Sequence, residues 1–260
     1  MRYFRIFLLQ LQEVIEDRSR IVVFFLLAAV APLILILFWR GASHIPGWTT
    51  TEITSYYLLS IVIYASVLCH QEDHVATVDI QEGGLTAYLL KPFSYFKLIF
   101  FNEVCYRVLQ GFMGIILLGV FVLVFPSMFT FADSLTVLLL SCLLLVGAFA
   151  LTFVAKMCMG LLAFWMTEAR GAFEAMNVLT VIFGGVLLPL SLLPDWLEKL
   201  SYVLPFAYML YFPIVAFEGR LTVSQLLLVF CGQMFWLGVA YLIYRHMWKA
   251  GLKKYTVVGQ

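Results

Sequence analysis

The sequence predicts an all-α, polytopic membrane protein with six transmembrane helices, an N-terminal interfacial amphipathic helix and an outer re-entrant hairpin before the last span. Three observations predict it. Of the 260 residues, 63% are hydrophobic and only 12% charged, against roughly 25% charged in soluble domains. The apolar residues gather into charge-free runs of the size required to cross about 30 Å of hydrocarbon, roughly 20 residues each. The basic residues fall unevenly on alternate loops, as they do when a membrane sorts them. One membrane domain over 1–260 accounts for the whole length, with no linker, appended domain or strong internal repeat.

At the N-terminus, Phe4, Phe7, Leu8, Leu11, Val14 and Ile15 follow helical spacing, while Gln10, Gln12, Glu13, Glu16 and Asp17 fill the other face. Such a helix lies in the interface plane, and Arg2, Arg5, Arg18 and Arg20 suit an anionic leaflet, so residues 1–20 read as an interfacial helix and not as a cleavable signal. It is either an anchor for the first span or a mechanical element. The spans follow as Ile21 to Trp39, Ile53 to Cys69, Val108 to Ala132, Ser134 to Ala155, Ala175 to Pro194 and Leu221 to Tyr244.

A seventh run, Ser201 to Phe217, contains Pro205 and Pro213, which remove helix donors, and is closely flanked by charge. Charge distribution decides against counting it. With six spans both termini share one side with Lys91, Lys97 and Arg170, and the opposite side keeps only Arg40, Lys199 and Arg220. A seventh span would put the basic tail RHMWKAGLKKY outside, so residues 193–220 are expected to form the outer hairpin, with both termini cytosolic in a plasma or inner membrane.

Independent chemistry is not expected. The net charge of +1 gives no basic field for nucleic acid. Cys69, Cys105, Cys142, Cys158 and Cys231 form no CxxC pair and read as apolar packing residues. His70 and His74 would share a helical face if the second span stayed helical, a spacing that suits a metal. A zinc protease, however, needs Glu directly after the first His, and Gln71 stands there, so no metal site is assigned. No GxxxxGK[ST] phosphate loop occurs, because neither Gly83-Gly84 nor Gly184-Gly185 is followed by Lys-Ser/Thr. No nucleotide-binding or other enzymatic role of its own is therefore expected.

Ionisable residues in or beside the spans are functional candidates because burying them is costly. Glu103 and Arg107, four apart, can pair on one face, either structurally or as a gating contact. Lys156 extends the fourth run and either snorkels or finds an acid, and Glu168 and Arg170 close the loop that follows. The polar segment 70–97 holds a different pattern. Gly83 and Gly84 permit a sharp turn, Leu85, Tyr88 and Leu89 form an i, i+3, i+4 stripe that could dock in a groove or pack on the chain's own helices, and Pro92 limits the helix.

In combination, the amphipathic N-terminus, DIQEGGLTAYLLKP, FWMTEARG, the PLSLLPDWL-to-LPFAY hairpin and the tail WKAGLKKYTVVG resemble the six-span permease subunits of ABC transporters, of the type-2 exporter class. The resemblance covers nearly the whole chain. It implies an ATP-driven exporter subunit that dimerises with itself or a related permease and binds a pair of separate ATPase subunits, which hold the ATP and Mg. It also implies that 1–20 is an elbow helix and that the coupling helix spans Asp79, Glu82, Gly83, Gly84, Leu85, Tyr88, Leu89, Lys91 and Pro92. The abundant aromatic residues suit a hydrophobic or amphipathic cargo. The alternatives are an ion-gradient-driven carrier, a membrane scaffold without transport, and an intramembrane hydrolase using His70 and His74.

Overall fold

The computed structural model describes residues 12, 16, 18–41, 45–92 and 94–258. The expected N-terminal interfacial helix falls almost entirely outside them. Among the described residues all regular structure is helical. The elements are α1 (Arg18–Arg40), α2 (Thr50–Val67), the one-turn α3 (Glu72–His74), a π-helical stretch Val75–Gln81, α4 (Leu85–Leu89), α5 (Tyr95–Val124), α6 (Leu135–Leu161), α7 (Arg170–Phe183), α8 (Asp195–Val203), α9 (Pro205–Met209), α10 (Tyr211–Phe217) and α11 (Val223–Val258).

Four helical stretches among the described residues are long and apolar enough to cross a membrane: Thr50–Gln81, Tyr95–Val124, Leu135–Phe164 and Val223–Tyr255. One of the predicted runs does not reach that length as a helix. The helix α7 has 14 residues, about 21 Å at 1.5 Å per residue, because Gly184-Gly185 ends it. Gly185 has φ +77°, a conformation that costs a residue with a Cβ. The first run lies in α1, a helix of 23 residues.

Helix starts also differ from the charge-free runs, for identifiable reasons. Thr49 and Glu52 form a reciprocal capping box, Thr49 Oγ1 accepting from Glu52 N at 3.2 Å and Glu52 Oε2 accepting from Thr49 N at 2.7 Å. Thr222 and Gln225 do the same at the start of α11, with Gln225 Oε1 accepting from Thr222 N at 2.9 Å. α5 begins at Tyr95 instead of Val108 because Glu103 and Arg107 in its interior compensate each other 3.3 Å apart and leave the helix uninterrupted.

The centre of the fold is α2. It packs against α1 and α5, while α6 makes its most extensive contact with α11. The least apolar of the four long stretches is the most buried: the α2 stretch has mean hydropathy 1.5 and is 78% buried, whereas the α5 and α11 stretches have 2.2 and 2.1 and are 17% buried, and the α6 stretch, the most apolar at 2.7, is 44% buried. In a bilayer the most apolar surface faces lipid, and small or polar residues that allow close helix contact occupy the interior. Thr54, Ser55 and Ser60 on α2 are buried accordingly.

Two large apolar cores stand out among the described residues. The larger joins α2, the middle of α6, the start of α11 and α10, whose Tyr211 to Ala216 are all buried. The smaller lies at the other end and joins the Val75–Gln81 stretch, Leu85, Tyr95, Phe153, Phe164 and Tyr244.

Candidate functional site

The second apolar run does not stay helical to its end. α2 stops at Val67, Leu68 is extended at ψ 107°, and helix resumes only at Glu72. A helix broken inside a membrane leaves carbonyl oxygens and amides that lipid cannot satisfy. Here charged side chains from neighbouring helices attend both stumps. Arg107 Nη1 on α5 donates to Leu68 O at 2.6 Å, a cation at a helix C-terminus where the macrodipole favours one. Glu103 holds the same guanidinium at 3.3 Å, and both side chains are about one-tenth exposed or less.

On the other side of the break, Glu72 stands in the first turn of α3, where a carboxylate is favoured. Lys156 Nζ on α6 donates to Glu72 Oε1 at 2.5 Å and to Asn177 Oδ1 on α7 at 2.6 Å. The Lys156 and Glu72 side chains are 2% and 3% exposed. Gln71 adds a donor from the break itself, Nε2 to Phe153 O at 3.0 Å. One interrupted helix is thus tied to α5 by the Arg107–Leu68 hydrogen bond and to α6 by the Lys156–Glu72 ion pair, with Asn177 of α7 on the same lysine. Glu72 and Asn177 are site residues that sequence reasoning left out, since partners 84 and 21 residues from Lys156 follow no helical spacing.

The break also removes the premise for pairing His70 with His74. His70 lies in the non-helical stretch, and His74 Nε2 instead sits 3.9 Å from Asp79 Oδ1. Among the described residues no group of three or more His, Cys, Asp or Glu has metal-binding geometry.

Beyond α3 the chain continues as the π-helical stretch Val75–Gln81, a rare geometry that is frequent at functional sites. Asp79 is buried at its end and accepts from Tyr95 Oη at 2.5 Å. A sharp turn follows, for which Gly83 supplies φ +85°, and a Cβ at Gly84 would lie 2.8 Å from Val78 O. The short α4 is therefore folded back against its own helix.

This placement alters the expected docking stripe. Leu85 is fully buried in the chain's smaller core and Tyr88 packs against that core, while Leu89 is 44% and Leu90 83% exposed. The outward edge of the turn carries Glu82, Leu89, Leu90, Lys91 and Pro92. Lys91 Nζ stands 5.2 Å from the centre of the Tyr88 ring. Glu168 and Arg170 are exposed in the segment entering α7 and lie apart from the buried pairs.

The turn is fastened to the last helix. Tyr255 Oη donates to Gly83 O at 3.0 Å and shares a hydrogen bond with Thr86 Oγ1 at 2.8 Å. Trp248 stacks on Tyr95, with ring centres 5.3 Å apart and planes 7° apart. Gln81 Nε2 donates to Thr167 O at 2.9 Å, which ties the turn to the segment after α6. Contiguous contacts thus join Glu82 to Pro92 with the end of the α2 stretch, the α6–α7 connection and α11.

The opposite end of α2 is built as a fixed plate. Tyr56 Oη donates to Gly185 O at 2.7 Å, and Tyr57 Oη donates to Leu187 O at 3.0 Å. Arg220 pairs with Glu52 at 3.0 Å and with Glu218 at 3.2 Å, and it covers the Trp48 ring at 3.5 Å. Burial pushes the Glu218 carboxyl up to about 7 although Arg220 opposes the shift. No curated protein and no solved structure matches the chain. The family model described as ABC-2 family transporter protein matches residues 25–259.

Proposed function

The chain belongs to the ABC-2 transporter family, and from that premise we propose that this permease exports a hydrophobic or amphipathic cargo, driven by a pair of separate ATPase subunits. The observation that carries the mechanism is the interrupted α2, fixed to an outer plate at one end and to an exposed turn at the other. ATP and Mg would be held by the partner ATPases, since the chain has no phosphate loop of its own.

In this reading α1 and α7, continued through Gly184 to Leu192, join the four long helices to give six spans, with both termini cytosolic in the cell membrane. The outer re-entrant hairpin is α8 to α10, in which Pro205 and Pro213 divide the run into short helices and α10 packs against α6 and α2. The order of basic residues supports this orientation. A second copy or a related permease completes the path.

Coupling then follows from the contacts. ATP-driven closure of the ATPases presses on the exposed edge Glu82 to Pro92. The outer end of α2 is held by Tyr56, Tyr57 and the Glu52–Arg220 pair, so displacement collects at the break between Leu68 and Gln71. There Arg107 with Glu103 and Lys156 with Glu72 define one arrangement of the stumps. Shifting them favours the other access state, a population shift whose size is set by the ATPases' preference between the two states.

The buried carboxylates Glu72 and Glu103 favour a second reading, an ion-gradient-driven carrier. Reconstitution separates the two. In proteoliposomes with the ATPase subunits present, cargo movement should require ATP and persist when a protonophore collapses the gradient. Movement without nucleotide that the protonophore abolishes would replace the ABC reading with the carrier.

A further inference from the structure

At the plate end of the molecule, a cavity of about 460 Å³ lies between the loop before α2, the hairpin and the start of α11. This is within the range of about 300–1,000 Å³ typical of small-molecule sites, which combine apolar and aromatic walls with a few polar groups. Its walls include the rings of Trp48 from the loop before α2 and of Tyr202, Tyr208, Tyr211 and Phe212 from the hairpin. At its rim is Leu228, 73% exposed on the outward face of α11.

The polar groups decide what could bind. Arg220 is the charged side chain that lines the cavity, and its guanidinium already has two carboxylates, Glu52 at 3.0 Å and Glu218 at 3.2 Å. An incoming anion would meet a cation that is already paired. A cation in the cavity would meet the guanidinium itself, because Glu218 is 1% exposed behind it, Glu52 lies outside the cavity lining, and the Trp48 face is already covered at 3.5 Å. Neither charge gains from entering, so the favoured headgroup is neutral.

Hydrogen-bonding capacity supplies the rest of the description. Trp48 Nε1 donates to Ser191 Oγ at 3.0 Å, which fixes the plane of one wall. Gln225 Oε1 accepts from Thr222 N at 2.9 Å and from Thr222 Oγ1 at 3.0 Å, which leaves its NH2 group as a donor at the cavity. Flat aromatic faces beside such a donor suit a ring that bears hydroxyls, apolar on its C–H face and polar at its edge. The exposed Leu228 offers a route for a hydrocarbon chain toward the lipid-facing surface.

We propose that this cavity binds an uncharged amphiphile, a hydroxyl-bearing ring headgroup with one hydrocarbon chain, and is the outer station on the cargo path. This rests on the reading of the chain as an exporter of amphiphiles and narrows its substrate class. The ring stacks among the aromatic walls, Gln225 Nε2 donates to a hydroxyl, and the chain leaves past Leu228.

The test uses the full-length permease in nanodiscs without ATPase and radiolabelled octyl glucoside as the probe. Saturable binding is expected, displaced at least tenfold more weakly by octyl phosphate and by octyltrimethylammonium than by the unlabelled glucoside. Gln225→Glu, which keeps the capping oxygen and removes the donor, and Leu228→Trp, which closes an exposed rim, should each weaken binding at least tenfold with melting temperatures unchanged. Equal competition by a charged analogue, or wild-type binding in both variants, would overturn the site. Binding without ATP-driven movement in the full complex would refute the export reading and retain the site, whereas wild-type transport in Leu228→Trp would remove the site from the cargo path.

Discussion

Lys156→Met should leave a membrane protein that scarcely folds, and adding Glu72→Gln to it should restore the fold without restoring transport. The single change strands a carboxylate that is 3% exposed, and breaking one side of a buried pair costs about 3–5 kcal/mol, whereas neutralising both sides is often close to neutral. Asn177 cannot replace the lost cation, because it meets Lys156 and contributes no charge. The expected result for the double variant is a melting temperature near wild type and ATP-driven transport at least tenfold lower. Thermal melting by size-exclusion chromatography and vesicle transport read the two effects separately. Full transport in the double variant would make the pair structural only and remove it from the gating mechanism.

The second large effect separates two leucines that the sequence presents as one stripe. Leu89→Asp with Leu90→Asp changes side chains that are 44% and 83% exposed, so the permease should remain stable and dimeric while co-purification of the ATPase and ATP-driven transport are abolished. Leu85→Ala should behave in the opposite way. Its side chain is fully buried in the chain's own core, and truncating such a leucine costs about 2–5 kcal/mol, so the loss should appear in melting temperature with docking retained in whatever protein survives. If Leu85→Ala removed the ATPase at unchanged stability, the docking surface would have to include the buried face.

The difference between these leucines shows what was legible in the sequence. Class, apolar runs, the Glu103–Arg107 pair and the sharp turn at Gly83-Gly84 depend on composition and local spacing, and each can be read along the chain. Burial inside the bundle could not be read in that way. A stripe at i, i+3 and i+4 specifies one face of a helix but not whether a partner or the chain itself covers it, and α4 turns back so that Leu85 meets its own core. Hydropathy likewise ranked α2 lowest among the four long helices although it is the most buried, because a helix surrounded by other helices carries small and polar residues at its contacts.

The break after Val67 left a weaker trace. The apolar run ends in Leu68-Cys69-His70-Gln71, which contains neither Pro nor Gly, and the interruption depends on Arg107, Gln71 and Glu72 finding distant partners. An Arg one helix away and a Lys one further helix away suggest charge compensation, but only the fold shows that they address opposite stumps of the same helix. The capping boxes Thr49-x-x-Glu52 and Thr222-x-x-Gln225, by contrast, were local signals that could have set both helix starts.

The central claim is that ATPases in the cytosol push on the exposed edge of the turn after α2. The most direct measurement is site-specific photo-crosslinking in native membranes co-expressing the ATPase, with the photoreactive residue placed at Leu90 or, as the control, at Leu123. The two positions are equally open, 83% and 84% exposed, and α5 separates them along the bundle. The account predicts an adduct of the permease with the ATPase from position 90, strengthened by ATP, and none from position 123. An adduct from 123 alone, or none from 90 while ATP-driven transport proceeds, would contradict it.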